Sequence, residues 1–373
     1  MSGIYIHIPF CKQACHYCNF HFSTSLKHKQ VLINAIKSEL KLRKEESNKP
    51  IQTLYFGGGT PSILGVEELN EIIYTVYDNY KVIDNPEITL EANPDDLSEK
   101  YIKELSQKYF NRLSIGIQSF CDQDLKLMNR AHNAREAHIA LHMALDYFEN
   151  ISIDLIYGIQ DQTDEMWLKN LEKAISYKVP HISSYALTVE PKTTLASFIE
   201  KEVVKDVDDD QAQRQFNMMI KALENEDYVH YEISNFGKEG YFSRNNSAYW
   251  QQKHYLGIGP SAHSYNGKQR FWNISNNMRY MRSISEGKLP ISIENLSQKD
   301  QYNEYIMTGL RTIWGVSADE IQHRFGDKFV SYFKKGVSKY VQEHLIYEDE
   351  NVYNVTRNGR FLADGIAAGL FMI

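Results

Sequence analysis

The chain has 373 residues, 42% of them hydrophobic, and a formal net charge of -7. That length suits a barrel-sized unit plus a smaller one, and the apolar share supports a sizeable core. The acidic balance argues against a general nucleic-acid binder, which needs a surplus of Lys and Arg to meet phosphates, and no run approaches the roughly 18 apolar residues of a membrane-spanning helix.

The opening residues, MSGIYIHIPF, enter a β-type run at once, with no basic start and no small-residue cleavage site, so no signal peptide is expected. Cys11, Cys15 and Cys18 follow directly, three of only four cysteines in the chain. With three thiols on one loop there is no disulfide framework, and a reducing cytoplasm is the expected compartment. The fourth, Cys121, reads as a small buried side chain. Three thiolates so close together can close around a metal. Cubane iron-sulfur clusters usually take four cysteines, so a loop with three leaves one iron open, and an open position marks a reactive centre. The alternative is a structural zinc site with His7, His16 or His21 as fourth ligand.

After the cysteine loop, Leu26 to Glu46 reads as an amphipathic helix with Leu32, Ile33, Ile36, Leu40 and the Arg43 stem on one face. Strands are expected at Ile51 to Phe56, Glu87 to Glu91, Arg112 to Ile117, Ile151 to Ile156 and His181 to Ala186. Helices are expected between them at Glu67 to Tyr77, Ser98 to Tyr109, Ala134 to Tyr147 and Glu165 to Tyr177. Counting the first, six strands separated by helices require parallel βα units. An open, partial (β/α)6 barrel fits, with the doubly wound sheet as rival. In either, ligands gather at the carboxyl ends of the strands. The cysteine loop, the triple glycine Gly57 to Gly59, Glu91, Gln118 and Asp154 all fall at or near that end.

Beyond the strands, Thr188 to Lys205 reads as a connection, and the acidic run Asp206 to Asp210 as the start of a helix over Gln211 to Glu226. The aromatic, glycine-rich stretches Tyr231 to Phe236, Arg244 to Trp250 and Leu256 to Tyr265 show little helical period and offer a surface for a flat, largely apolar ligand. From about Ser297, helices at Gln301 to Thr312, Ser317 to Arg324 and Lys328 to Gln342 precede a hairpin over 345–356 and a last helix at Asn358 to Phe371. This pattern suggests a winged-helix-like α+β unit without a basic stripe. The expected division is a barrel over 1–235, a connecting region over 236–296 and a C-terminal unit over 297–373.

Cys-x-x-x-Cys-x-x-Cys with Tyr17 just before the last cysteine resembles the signature of the radical S-adenosylmethionine (radical SAM) superfamily. The resemblance implies a 4Fe-4S cluster on Cys11, Cys15 and Cys18, with SAM chelating the fourth iron and yielding a 5'-deoxyadenosyl radical on reduction. FGGGTPS at Phe56 to Ser62, LEANPDD at Leu90 to Asp96, RLSIGIQSF at Arg112 to Phe120, LMNRAH at Leu127 to His132 and SIDLIYG at Ser152 to Gly158 are similar to the branch related to oxygen-independent coproporphyrinogen III oxidase. By that likeness Tyr5, Gly58, Gly59, Thr60, Glu91, Gln118, Arg130 and Asp154 line the SAM site, Tyr17 lies beside the adenine and Ala186 closes the pocket.

Within that branch the chain resembles most the heme chaperone group. The true oxidase carries a further cysteine where this chain has Phe20, and an amino-terminal arm where this chain has only Met1 to Ile4, which makes decarboxylation of coproporphyrinogen III doubtful. The resemblance implies heme as cargo, an acceptor protein, an electron donor and a monomer or homodimer. The alternative is a radical SAM enzyme of porphyrin metabolism. The group's motif His-Asn-x-x-Tyr-Trp appears here with Asn245 in the histidine's place, before Asn246, Tyr249 and Trp250. An amide is a poor iron ligand, so His254, His263 and Tyr249 stand as alternatives.

Overall fold

Six parallel strands lie side by side in chain order, each separated from the next by helix. The computed structural model describes residues 2–47 and 49–373, so Met1 lies outside the described residues. The succession is β1 (Ser2–Ile8), α1 (Lys29–Leu42), β2 (Ile51–Gly58), α2 (Val66–Asn79), β3 (Val82–Ala92), α3 (Glu99–Ser106) and β4 (Arg112–Gln118). Then come α4 (Asp122–Leu127), α5 (Ala134–Leu145), β5 (Ile151–Tyr157), α6 (Asp164–Ser176) and β6 (His181–Ala186). A doubly wound sheet reverses its strand order at a switch point. Here β1 to β6 are neighbours in sequence order without reversal, which is the partial (β/α)6 barrel.

The strands mostly alternate, with Ile156 and Ser184 as exceptions. Ile4, Ile6 and Ile8, Leu54 and Phe56, Ile88 and Leu90, Leu113, Ile115 and Ile117 face the surrounding helices and form the main core. Burial of these branched side chains, at about 25 cal/mol per Å² of apolar surface, is what holds helices to sheet. The intervening residues face the barrel interior and are polar: Thr53, Glu87, Thr89, Arg112, Ser114, Ser152, His181 and Ser183 are all buried. Their side chains meet across strands, Tyr55 with Glu91, Ser152 with His181 and Ser183 with Asn235. Such an interior must satisfy its polar groups internally or through water.

The sheet does not end with the sixth strand. Following α7 (Thr194–Glu200) and α8 (Asp209–Glu224), whose first N–H groups include one capped by Asp208, β7 (Val229–Glu232) and β8 (Asn235–Gly237) extend it beyond β6. The stretch 244–250 is a helix, α9 (Arg244–Trp250), with Ser243 as its cap. Seven residues are too few for a period to be read, and the Glu87 carboxylate fixes its start by accepting from the N–H groups of Arg244 and Asn245.

Residues expected to be a connection instead supply four more strands: β9 (His254–Ile258), β10 (His263–Tyr265), β11 (Gln269–Asn273) and, after α10 (Asn277–Ser285), β12 (Ile291–Asn295). β9 pairs parallel with β1, and β10, β11 and β12 follow antiparallel, giving a sheet of 12 strands. The anchor is Glu39 on α1. Its carboxylate accepts from Arg43 on its own helix, Asn273, Tyr280 and the Gly259 N–H, all buried.

A second core gathers Tyr302, Ile306, Ile321, Phe333 and Leu370 with their neighbours. It is built by α11 (Gln298–Leu310), β13 (Val316–Ser317), α12 (Ala318–Phe325), α13 (Asp327–Gln342), β14 (Ile346–Asp349), β15 (Val352–Val355) and α14 (Ala363–Gly369). The three strands form an antiparallel sheet, and the expected last helix is a tight turn over Arg357–Leu362 followed by α14. Among the described residues, no helix is long and apolar enough to cross a membrane.

Candidate active site at the barrel rim

The loop after β1 carries Cys11, Cys15 and Cys18, all half-exposed with free thiols. Burial pushes the Cys11 thiol up to about 11, against a hydrogen bond from Thr60, and pushes Cys18 up as well. A coordinated metal deprotonates such thiols outright. The Arg130 charge opposes the rise at both Cys11 and Cys18, and its guanidinium donates to Cys15 Sγ at 3.4 Å. The same guanidinium donates to Asn93 Oδ1 at 2.6 Å and to the Gly116 carbonyl at 3.0 Å, which ties the cysteine loop to the ends of β3 and β4. Tyr17 packs with Leu125, Met128 and Leu195 beside it.

The histidines of the zinc alternative are engaged elsewhere. Both ring nitrogens of His7 are used, by Tyr5 and by the His21 carbonyl; His16 is turned to the Leu127 carbonyl and His21 to Asn277. Among the described residues, no three His, Cys, Asp or Glu side chains converge as ligands of one ion. These contacts leave Cys11, Cys15 and Cys18 as the thiol donors of the loop, with none of the three histidines turned to them.

The glycine run packs directly on this loop. Gly59 donates its N–H to the Ile8 carbonyl, and Thr60 donates to that of Phe10. A Cβ on Gly59 would lie 2.6 Å and 2.9 Å from the Phe10 backbone and 3.0 Å from Cys11 Sγ. Gly59→Ala is therefore expected to push the cysteine loop off its seat and lower iron incorporation by about tenfold under equal reconstitution. Wild-type iron content in that variant would show that the close approach is not needed.

Beneath the glycines lie two half-buried carboxylates, Glu91 and Asp154. Glu91 accepts from Tyr55 Oη at 2.8 Å and from the Gly58 N–H at 3.2 Å. Burial raises Glu91 to about 7 against the Tyr55 hydrogen bond, with the Asp154 charge adding to the rise. Burial likewise lifts Asp154 to about 6 against the opposing charge of Arg112. Tyr5 stacks on Tyr55, ring centroids 6.1 Å apart. Gln118 ends β4 with φ of 64°, a left-handed conformation of the kind that collects at functional sites. Ala186 ends β6 opposite Tyr157. Gly58, Gln118 and Ala186 thus end β2, β4 and β6, with Gly59 and Thr60 just beyond β2 and Glu91 one residue before the end of β3, while Tyr5 and Asp154 lie midway along β1 and β5.

The four expected heme-contact residues do not converge. Asn245 is buried under the barrel, where its Oδ1 accepts from Thr53. Tyr249 points into the interior against Tyr255, centroids 4.4 Å apart. His254 is exposed where β9 pairs with Ser2, and His263 is exposed on β10. Cys121, expected to be buried, is half-exposed before α4. Arg112 and Asn93 escaped notice in the sequence. The signal for Arg112 was a cation inside a strand whose alternate positions are all apolar.

Known proteins can now be set beside this geometry. A family model described as the radical SAM superfamily matches residues 5–174, and one described as the HemN C-terminal domain matches residues 296–362. The heme chaperone HemW of Lactococcus lactis is 31% identical over 366 residues, covering 98% of this chain and 96% of its own. The chain belongs to the HemW family. The heme chaperone HemW of Bacillus subtilis is 31% identical over 371 residues, with 98% of each chain covered. The coproporphyrinogen III oxidase HemN of Escherichia coli, a radical SAM enzyme, has the same fold, with a TM-score of 0.86 over 100% of this chain and 90% of its own at 22% identity.

Proposed function

We propose that the protein is a heme chaperone of the radical SAM type, which binds heme and a SAM-ligated 4Fe-4S cluster and passes heme to an acceptor protein. The observation that carries this reading is the full-length likeness to curated heme chaperones, which extends past the barrel through strands β9 to β12 and the C-terminal unit. In this reading Cys11, Cys15 and Cys18 hold the cluster. SAM lies against Tyr5, Tyr17, Gly58, Gly59, Thr60, Glu91, Gln118, Arg130, Asp154 and Ala186. When bound, cluster and SAM supply one-electron chemistry.

The chain's own residues do the holding. Arg130 orients the cysteine loop, Gly58 and Gly59 let backbone approach the ligand closely, and Glu91 and Asp154 offer acceptors to ligand hydroxyls. The unit 297–373 acts as a lid or docking surface for the acceptor, and a reducing cytoplasm suits the free thiols. A hemin titration beside a coproporphyrinogen decarboxylation assay, both on anaerobically reconstituted protein, tests the proposal. A saturable Soret shift without decarboxylation is the expected result. Decarboxylation without heme binding would instead make the protein a porphyrin-modifying enzyme.

A further inference from the structure

The polar interior face of the barrel continues, as an aromatic face, onto the added strands. Gly3 and Tyr5 face inward on β1 and are paired with Tyr255 and Gly257 on β9. Tyr255 is paired with Tyr265 on β10, and His263, two residues along the same strand, shares its face and is paired with Trp272 on β11. One continuous face therefore runs from Tyr5 through Tyr255 and Tyr265 to His263 and Trp272; Tyr265 is buried on it, near the charges of Glu304 and Arg324 of the C-terminal unit, and His263 is its exposed end. A flat, largely apolar ligand is what such a surface suits.

The position of His263 on that surface is specific. Its ring stacks on Trp272, centroids 5.7 Å apart and planes 23° from parallel, which fixes the imidazole while leaving it open to solvent. It lies on the rim side, close enough to His7 that a charge on His263 disfavours one on His7. His7 in turn stacks on His21 of the cysteine loop, centroids 6.4 Å apart. Packing and the nearby Arg270 lower the pKa of His263, so the ring is neutral near pH 7 and keeps a lone pair for a metal. The other candidates lack this placement. Asn245 is buried against Thr53, the Tyr249 ring packs edge-on against Tyr255 in the middle of that face rather than at its exposed end, and His254 sits at the opposite end of β9 beside Ser2.

We infer that His263 is the axial ligand that holds heme iron in this chain, presented on the aromatic inner face of β9 to β11 beside the cysteine loop. The inference rests on the chaperone reading and names the residue that replaces the missing motif histidine. Its chemistry is ordinary: a neutral imidazole nitrogen donates to the iron, and no covalent bond or electron transfer is required.

The test is a hemin titration of the full-length protein and its His263→Ala and His254→Ala variants, followed by addition of free imidazole. The wild type is expected to give the Soret band of histidine-ligated ferric heme. His263→Ala should lose that band and bind hemin at least about tenfold more weakly, and imidazole should restore the band, which a merely structural role would not allow. A His263→Ala variant with the wild-type spectrum and affinity overturns the assignment alone. Loss of the band in His254→Ala but not in His263→Ala does the same. A wild-type protein that leaves the hemin spectrum unchanged overturns the chaperone reading and the assignment with it.

Discussion

Cys15→Ala is expected to abolish cluster assembly, with iron and sulfide after anaerobic reconstitution falling at least about tenfold below wild type. Cys15 is the thiol that Arg130 addresses directly, and removing it takes away both a candidate ligand and the partner of a half-buried cation. The loop is half-exposed and packs through Phe10 and Gly59 rather than through Cys15 itself, so the fold should persist. Far-UV circular dichroism should therefore match wild type while the broad visible absorbance disappears. His16→Ala supplies the contrast, because a zinc site with that histidine as fourth ligand would fail in the same way, whereas a cluster on three cysteines would not. Full iron loading of Cys15→Ala, or metal loss in His16→Ala with the cysteines intact, would remove the basis for the rim site.

Glu39→Ala is the second large effect, and it concerns stability. The carboxylate is fully buried and accepts four hydrogen bonds, from the Arg43 guanidinium, the Gly259 N–H, the Asn273 amide at 2.7 Å and the Tyr280 hydroxyl at 2.6 Å. A buried ion pair adds little when compared with a well-packed apolar replacement, because desolvation offsets attraction. Removing one member is different. It strands the other charge and its donors, at a cost of about 3–5 kcal/mol. Arg43 retains Glu46 on its outer side and stacks over Phe271, which limits the loss at that residue. Urea unfolding should show the main transition moved to lower denaturant, and heme titration should weaken in parallel because β9 to β11 are what Glu39 ties to α1. A change below about 1 kcal/mol would mean that strand pairing to β1 suffices without the buried anchor.

Local pattern made the inner half of the molecule readable. Alternation of Ile4, Ile6 and Ile8 or of Leu113, Ile115 and Ile117 specifies a strand with one apolar face whatever lies next to it. The 3.6-residue period of Ile36, Leu40 and Arg43 specifies which side of α1 is buried. Glu39 falls on that same side and was passed over because its partners, Asn273, Tyr280 and Gly259, lie more than two hundred residues away. The cysteine spacing and the glycine run were legible for a related reason, since a metal loop and a close backbone approach are built from neighbours in sequence.

The destination of 254–295 was not legible. β9 and β10 are short and aromatic, and backbone hydrogen bonds between strands carry no residue code that says which edge they join. Only the folded chain shows β9 beside β1, and with it α9 turned inward so that Asn245 leaves the surface and His263 takes the rim position. By itself, then, the sequence determined the six βα units and the cysteine loop, because periodicity and spacing are local properties. Tertiary structure decided the polar interior, the buried anchor and the aromatic face, because each is made by residues that meet only when distant segments pair.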